Sequence, residues 1–320
     1  MGYSARYHAA SLAAVFLALA IGILIGSQWG SDVLNNTRED LESSLTSDLN
    51  DARGEIDDLH QELGQADEFG NAVYPLLTEN RLRDRKVGLI GLGSLPSNVT
   101  NSVESALEPA GAELVAVGAI RQPPAVDDLA GELQGTRFRQ IETSDEDLAA
   151  YGRTIGRQLI GGGRILTLTR SELMSQSSGQ FAGLDGLIIY RAEPEDLEPE
   201  AKEQAEKLDR AIIEGAASTR ARLVGIETTG TDPSTVGFLR DRNLTTVDNL
   251  DQPAGKVSVV YALNGTEGAF GVKDDASRVL PELLNPVAIG SQEGSANGSG
   301  GGGKAGDGQG NANGPGGAES

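Results

Sequence analysis

The sequence predicts an α/β protein in three parts: an N-terminal transmembrane helix, a short coiled coil, and a doubly wound, Rossmann-like domain on a parallel sheet. Three observations carry this. The run from Ala9 to Gly26 holds no charged residue over 18 positions. Apolar residues then recur at heptad spacing as far as Ala66. Beyond Arg81, short aliphatic runs alternate with amphipathic segments, the pattern of parallel βαβ units.

Residues 1–30 read as the membrane anchor. Tyr3 and Tyr7 precede the apolar run and Trp29 follows it. As helix, Tyr7 to Trp29 covers about 33 Å. A bilayer core is about 30 Å thick, and aromatic rings favour its two interfaces. A cleaved signal peptide is the alternative, since Ala18-Leu19-Ala20 resembles a cleavage site. The apolar run continues past it through Ile21, Ile23, Leu24 and Ile25, which suits an anchor. Arg6 precedes the span, so the expected topology is single-pass in a cell-envelope membrane with an extracytoplasmic C-terminal domain. Ala10, Ala14, Ala18, Gly22, Gly26 and Gly30 recur every four residues, a stripe that lets helices approach closely. Gly22 and Gly26 are its helix-packing candidates, and a homo-oligomer is the expected partner state.

Residues 31–70 read as the coiled coil. Leu45, Leu49, Ala52, Ile56, Leu59, Leu63 and Ala66 alternate in steps of four and three. The segment carries 12 acidic and 2 basic residues, so self-repulsion opposes pairing. Gly54 and Gly64 each cost about 1 kcal/mol against alanine. The other reading is one amphipathic helix lying on the globular domain. Gly70 and Pro75 are expected to end the segment.

Residues 81–286 read as the α/β body. Lys86–Leu92 is a buried strand, and Ser97–Pro109 a helix that Ser97 can cap. Ala112–Ala119 is a second strand, and Arg121–Phe138 reads as loops. Ser144–Ile160 is amphipathic and begins at a capping residue, Thr143 or Ser144. Gly161-Gly162-Gly163 reads as a helix stop and turn. Leu184–Tyr190 is a strand. Pro199–Ala217 is a charged helix with proline at its start. Arg222–Glu227 and Leu244–Val247 are short strands, and Pro253–Leu263 is the last helix. Residues 290–320 are almost wholly Gly, Ser, Asn and Ala and read as a disordered tail.

Composition excludes several functions. Lys and Arg number 26 against 47 Asp and Glu, a formal charge of −21, so no basic footprint for nucleic acid exists. The absence of cysteine removes disulfides, Cys-bound zinc, iron–sulfur clusters and thiol catalysis. Two histidines argue against a His-rich metal site or a Ser-His-Asp triad. Gly91-Leu92-Gly93 sits where a dinucleotide fingerprint would, but the third glycine is missing. The acidic clusters lack EF-hand spacing and read as solvated surface. No nucleophile, base and orienting group occur together, so an enzyme is not expected. The loop holding Asp248 and Asp251 is the one candidate site. Asp251 can cap the helix that starts at Pro253, or both carboxylates can face a cation or a basic partner.

Several stretches carry a resemblance. They are Arg6-Tyr7-His8, Ser11–Ala20, Gly22–Gly26, Leu82–Val87, Glu108–Glu113 and TTVDNLDQPAGKVSVVYAL at 245–263. Together they resemble the actinobacterial copper-transport outer membrane, MctB-type, family over residues 1–284. The resemblance implies a membrane-attached envelope protein of copper homeostasis, with a possible channel-forming role and copper ion as the transported species. No cofactor is expected. Copper(I) prefers Cys and Met ligands and copper(II) imidazole, yet Met174, His8 and His60 are the only such residues beyond Met1. One span encloses no path, and the body lacks the alternating strands of a membrane barrel. Copper passage would need oligomerisation or an indirect role. The second reading is therefore a structural or interaction module, displayed in the envelope on a coil, with no ion path.

Overall fold

The computed structural model describes residues 4–192 and 197–282, with 4–6 and 27–40 as backbone only. The expected tail at 290–320 lies outside the described residues. So do residues 283–286 of the expected body.

The chain opens with one helix, α1 (Ser4–Thr78), of 75 residues. At 1.5 Å per residue it is about 112 Å long. It includes Tyr7–Gly26, a segment long and apolar enough to cross a membrane. The helix also runs through both residues expected to end it, Gly70 and Pro75. An interior proline costs about 3 kcal/mol, so local preference alone would stop the helix. Packing overrides that preference. Gly70 lies under Pro253, where an added Cβ would come within 2.9 Å of the proline ring. The Tyr74 hydroxyl donates to the Ser105 carbonyl at 3.2 Å, and the Lys256 ammonium lies 5.1 Å over the Tyr74 ring. Upstream, Leu45, Leu49, Ile56, Leu59 and Leu63 are all more than half exposed, so this part of α1 does not lie on the body.

The strands of the body are β1 (Lys86–Leu92), β2 (Glu113–Ile120), β3 (Met174–Gly179), β4 (Gly186–Arg191), β5 (Arg222–Ile226), β6 (Thr245–Val247) and β7 (Ala269–Phe270). They form a seven-stranded sheet of order β3-β2-β1-β4-β5-β6-β7. All neighbours are parallel except β3, which runs antiparallel to β2. Aliphatic runs make β1 and β4 central, because both faces must be covered. Leu89 and Ile188 point to one core, while Ile90 and Ile189 point to the other. The first core is closed by α2 (Ser97–Leu107) and α8 (Pro253–Leu263) through Val99, Val103, Val259 and Val260. The second is closed by α4 (Asp145–Gly161) and α6 (Pro199–Ala217) through Tyr151, Ile155, Leu208 and Ile212. Gly156 lets α4 and α6 touch backbone to backbone, since a Cβ there would stand 2.0 Å from the Ile212 carbonyl oxygen.

Local signals place several borders well. The Ser144 hydroxyl accepts from the Asp147 N–H at 3.2 Å and caps α4, and Gly162 ends it at a φ of 76°. Other expectations need correction. Ser97 is the first residue of α2, not its cap, and Pro96 precedes it with no side-chain bond. The segment read as loops contains α3 (Val126–Glu132), held by burial of Val126, Leu129 and Ala130. The parallel pattern also left out α5 (Arg164–Leu173) and β3. Five of the six β3 residues are exposed, so an edge strand of Ser, Gln and Gly gives no apolar pattern to read. Short α7 (Val236–Arg240) completes the body.

Candidate functional site

The strand order reverses beside β1. From β1 the chain goes outward to β2 and β3, then returns to build β4 to β7 on the other side. The turns leaving β1 and β4 therefore part, and a crevice opens outside the strand ends. Such switch points are where ligands enter open α/β sheets. Here a cleft of about 470 Å³ is lined by Ser94, Gln122, Tyr190, Ala192, Thr228 and Thr231. These residues follow or end β1, β2, β4 and β5. A wider depression of about 720 Å³ lies at the amino ends of β5 and β6. The smaller cleft is the stronger candidate because the polar residues converge there.

Asp209 of α6 lies behind Gln122. It is 1% exposed, and its Oδ2 accepts from Gln122 Nε2 at 2.9 Å. Arg191 Nε, at the end of β4, stands 3.8 Å from the same oxygen. Asp209 Oδ1 has no hydrogen-bond partner among the described residues. Burial pushes the Asp209 carboxyl up to about 7, against the opposing pull of the Arg191 charge and the Gln122 bond. Desolvation of a carboxylate outweighs one cation that does not reach hydrogen-bond distance. The guanidinium of Arg191 also stacks 4.2 Å over Phe238.

A second buried group shapes the cleft wall. Glu227 follows β5 and is fully buried. Its Oε1 accepts from Lys273 Nζ at 2.6 Å and from the Ser234 hydroxyl at 2.8 Å. Its Oε2 accepts from the Thr235 N–H at 2.7 Å and the Val236 N–H at 3.3 Å. Lys273 also donates to the Thr231 carbonyl at 2.5 Å. One carboxylate thus holds the loop between β5 and α7 to the segment after β7. Burial and the Glu227 charge both raise the Tyr190 phenol.

The expected loop lies beside this cluster. Asp248 is buried and accepts from the Val272 N–H at 2.7 Å and the Lys273 N–H at 3.2 Å. Asp251 accepts from the Thr229 N–H at 2.8 Å and bonds the Thr229 hydroxyl closely. It does not cap α8. That position belongs to Gln252, which makes no side-chain cap bond. The reason is geometric: Asp251 faces the β5 loop across the sheet end and bonds its amide instead. The two carboxylates therefore tie one loop to its two neighbours.

The structure brings Asp248 and Asp251 toward Glu227 and Lys273, but it places Gly22 and Gly26 far along α1. An added Cβ at either glycine meets nothing within 4 Å. Gly93 makes the turn after β1 at a φ of 94°, beside Gln122. Asp209 and Glu227 were missed in the sequence. Their signals were an acid within the apolar face of α6, beside Leu208 and Ile212, and an acid closing an aliphatic run.

Among the described residues, Met174, His8 and His60 do not converge. Met174 is buried in the core at the start of β3. His8 and His60 are exposed on α1, roughly 78 Å apart along it. Among the described residues no group of three or more His, Cys, Asp or Glu could hold a metal ion.

A family model described as copper transport outer membrane protein, MctB, matches residues 3–281. The copper transporter MctB of Mycobacterium bovis (strain ATCC BAA-935 / AF2122/97) is 23% identical over 310 residues, covering 86% of this chain and 98% of that protein. The proteins of the same name from Mycobacterium tuberculosis strains CDC 1551 / Oshkosh and ATCC 25618 / H37Rv match to the same extent.

Proposed function

Because the chain belongs to the MctB family of copper transport outer membrane proteins, we propose that it is a membrane-anchored envelope protein serving copper homeostasis. Copper is its cargo and not a resident cofactor. The observation that carries this reading is the extent of the family match, which runs through both the apolar helix and the α/β body. The short N-terminus with Arg6 lies in the cytoplasm, and the body is extracytoplasmic. The helix between Gly26 and Gly70 holds the body roughly 65 Å from the membrane segment. We read the body as doubly wound and Rossmann-like, supported by the reversal of strand order beside β1 and by helices on both faces. The cleft at that reversal is the place for a small polar ligand or a partner's polar chain end. Transport, and not catalysis, is the role carried by the family's description.

A single span encloses no conduit, so a channel role requires several copies. The second reading is an envelope interaction module with no ion path, and the wide separation of His8, His60 and Met174 in the single chain supports it. One experiment separates the two. A strain lacking this chain should become copper-sensitive and change its copper content, and the full-length chain should restore both. Normal tolerance and content would overturn transport and leave the interaction module.

A further inference from the structure

From residue 41 to residue 69, α1 has no covering. Every residue from 41 to 69 is exposed, including six large aliphatic side chains: Leu41, Leu45, Leu49, Ile56, Leu59 and Leu63. Helices in water owe most of their stability to packing of an apolar face, so this face needs a partner. The heptad places Leu49, Ile56 and Leu63 at a positions and Leu45, Ala52, Leu59 and Ala66 at d positions. The charged flanks then fall in a definite order. Asp48, Glu55 and Glu62 occupy g, while Arg53, His60 and Asp67 occupy e. Arg53 is the only Lys or Arg between 41 and 78, and His60 the only histidine there. Both land at e.

In a parallel pair in register, each g residue faces the e residue five positions on in the other helix. Asp48 then meets Arg53, and Glu55 meets His60, in both directions. Only Glu62 against Asp67 is unfavourable. An antiparallel pair sets g against g, which would oppose the whole acidic column to itself. Gly54 and Gly64 fall at f and b, away from the seam, as do Asp51, Asp57, Asp58 and Glu68. Four of the eight acids between 45 and 68 therefore lie on the solvated face. Anchoring the same end of each copy in one membrane also imposes the parallel direction.

We propose that residues 45–66 of α1 form a parallel, in-register, two-stranded coiled coil with a second copy of this chain, specified by the Asp48–Arg53 and Glu55–His60 contacts between copies. The interface does not rest on the copper reading and supplies the copy-to-copy contact that a channel would require.

The natural absence of cysteine makes the test direct. Full-length chains carrying Ala52→Cys or Leu59→Cys at d, or Ser47→Cys or Gln61→Cys at f, are oxidised in native membranes. Rapid disulfide dimers are expected at both d positions, with at least tenfold slower formation at both f positions. Equal rates at d and f, or no dimer at d, would overturn the seam. In the Ala52→Cys background, Asp48→Arg or Arg53→Asp alone should lower dimer yield roughly threefold, as two weak ion pairs are lost. The exchange carrying both should restore it. A double variant no better than the singles would overturn the register. A chain carrying both Ala52→Cys and Leu59→Cys holds two thiols and can link to two neighbours, so covalent trimers from it would overturn the two-stranded state. Copper tolerance of the same strains is scored separately, so loss of pairing and loss of transport are distinguishable.

Discussion

Glu227 Oε1 and Lys273 Nζ lie 2.6 Å apart inside the body, although 46 positions separate the residues in sequence. The contact joins the β5 loop to the segment after β7 and fixes one wall of the switch-point cleft. Its two ends differ in burial: Glu227 is fully enclosed, while the Lys273 side chain keeps 19% of its exposure. Removing the lysine should therefore do more harm than removing both charges.

Lys273→Met leaves Glu227 buried with hydroxyl and amide donors only. A buried charge that loses its partner typically costs about 3 kcal/mol or more. The full-length chain in detergent should lose about that much in urea unfolding. The double variant Lys273→Met with Glu227→Gln should lose less. If the single variant is as stable as the parent, the ion pair is not a structural tie.

Asp209 gives a pH dependence of definite sign. Its carboxyl titrates near 7 in the folded chain, against 3.8 as an ordinary aspartate. Between those values the folded state holds a proton that the unfolded state has released. Stability from this group is thus present below about pH 4 and declines as pH rises toward 7, by up to about 1.4 kcal/mol per unit. Asp209→Asn removes the slope and can keep the bond from Gln122. Thermal melts from pH 4 to 8 should show the variant gaining on the parent as pH rises. Parallel curves would contradict this assignment.

Asp251→Ala should cost about 1 kcal/mol, the usual net worth of a hydrogen bond with some added for charge. The loss should appear as faster amide exchange at Thr229 and its neighbours. Asp251→Asn keeps an acceptor for the Thr229 N–H and should lose less. Faster exchange confined to the first turn of α8 would instead restore a capping role.

Gly22→Ile with Gly26→Ile probes the membrane stripe. An added Cβ at either position meets nothing within 4 Å in the single chain, so a clash inside one chain does not account for a loss of dimers. Crosslinked dimers within the span should decrease. Unchanged yields would remove these two glycines from the packing of copies.

Much of the fold was readable because the signals are local. Pro199 and Ala217 bound α6 as read, and Pro253 and Leu263 bound α8 as read, since a first-turn proline and the helical period act within a few residues. The site was less readable. Asp248 and Asp251 drew notice as acids at a strand end, but their partners Val272, Lys273 and Thr229 lie more than 20 positions away. Glu227 looked like the end of a strand, and nothing nearby announced Lys273.

By itself the sequence determined the apolar helix, the alternation that builds the parallel sheet, the family, and the lack of any cysteine side chain. Periodicity, composition and caps decide these, and all act over short stretches of chain. Tertiary structure alone decided that α1 continues through Pro75, that β3 joins its edge antiparallel, and that Asp251 holds the β5 loop instead of α8. Each depends on a surface brought from elsewhere. Pro253 and Lys256 cover the last turns of α1, β2 offers its free edge to a polar strand, and Thr229 presents an amide across the sheet end. Where a distant contact outweighs a local preference of about 1–3 kcal/mol, the residue's own neighbours in sequence do not reveal the outcome.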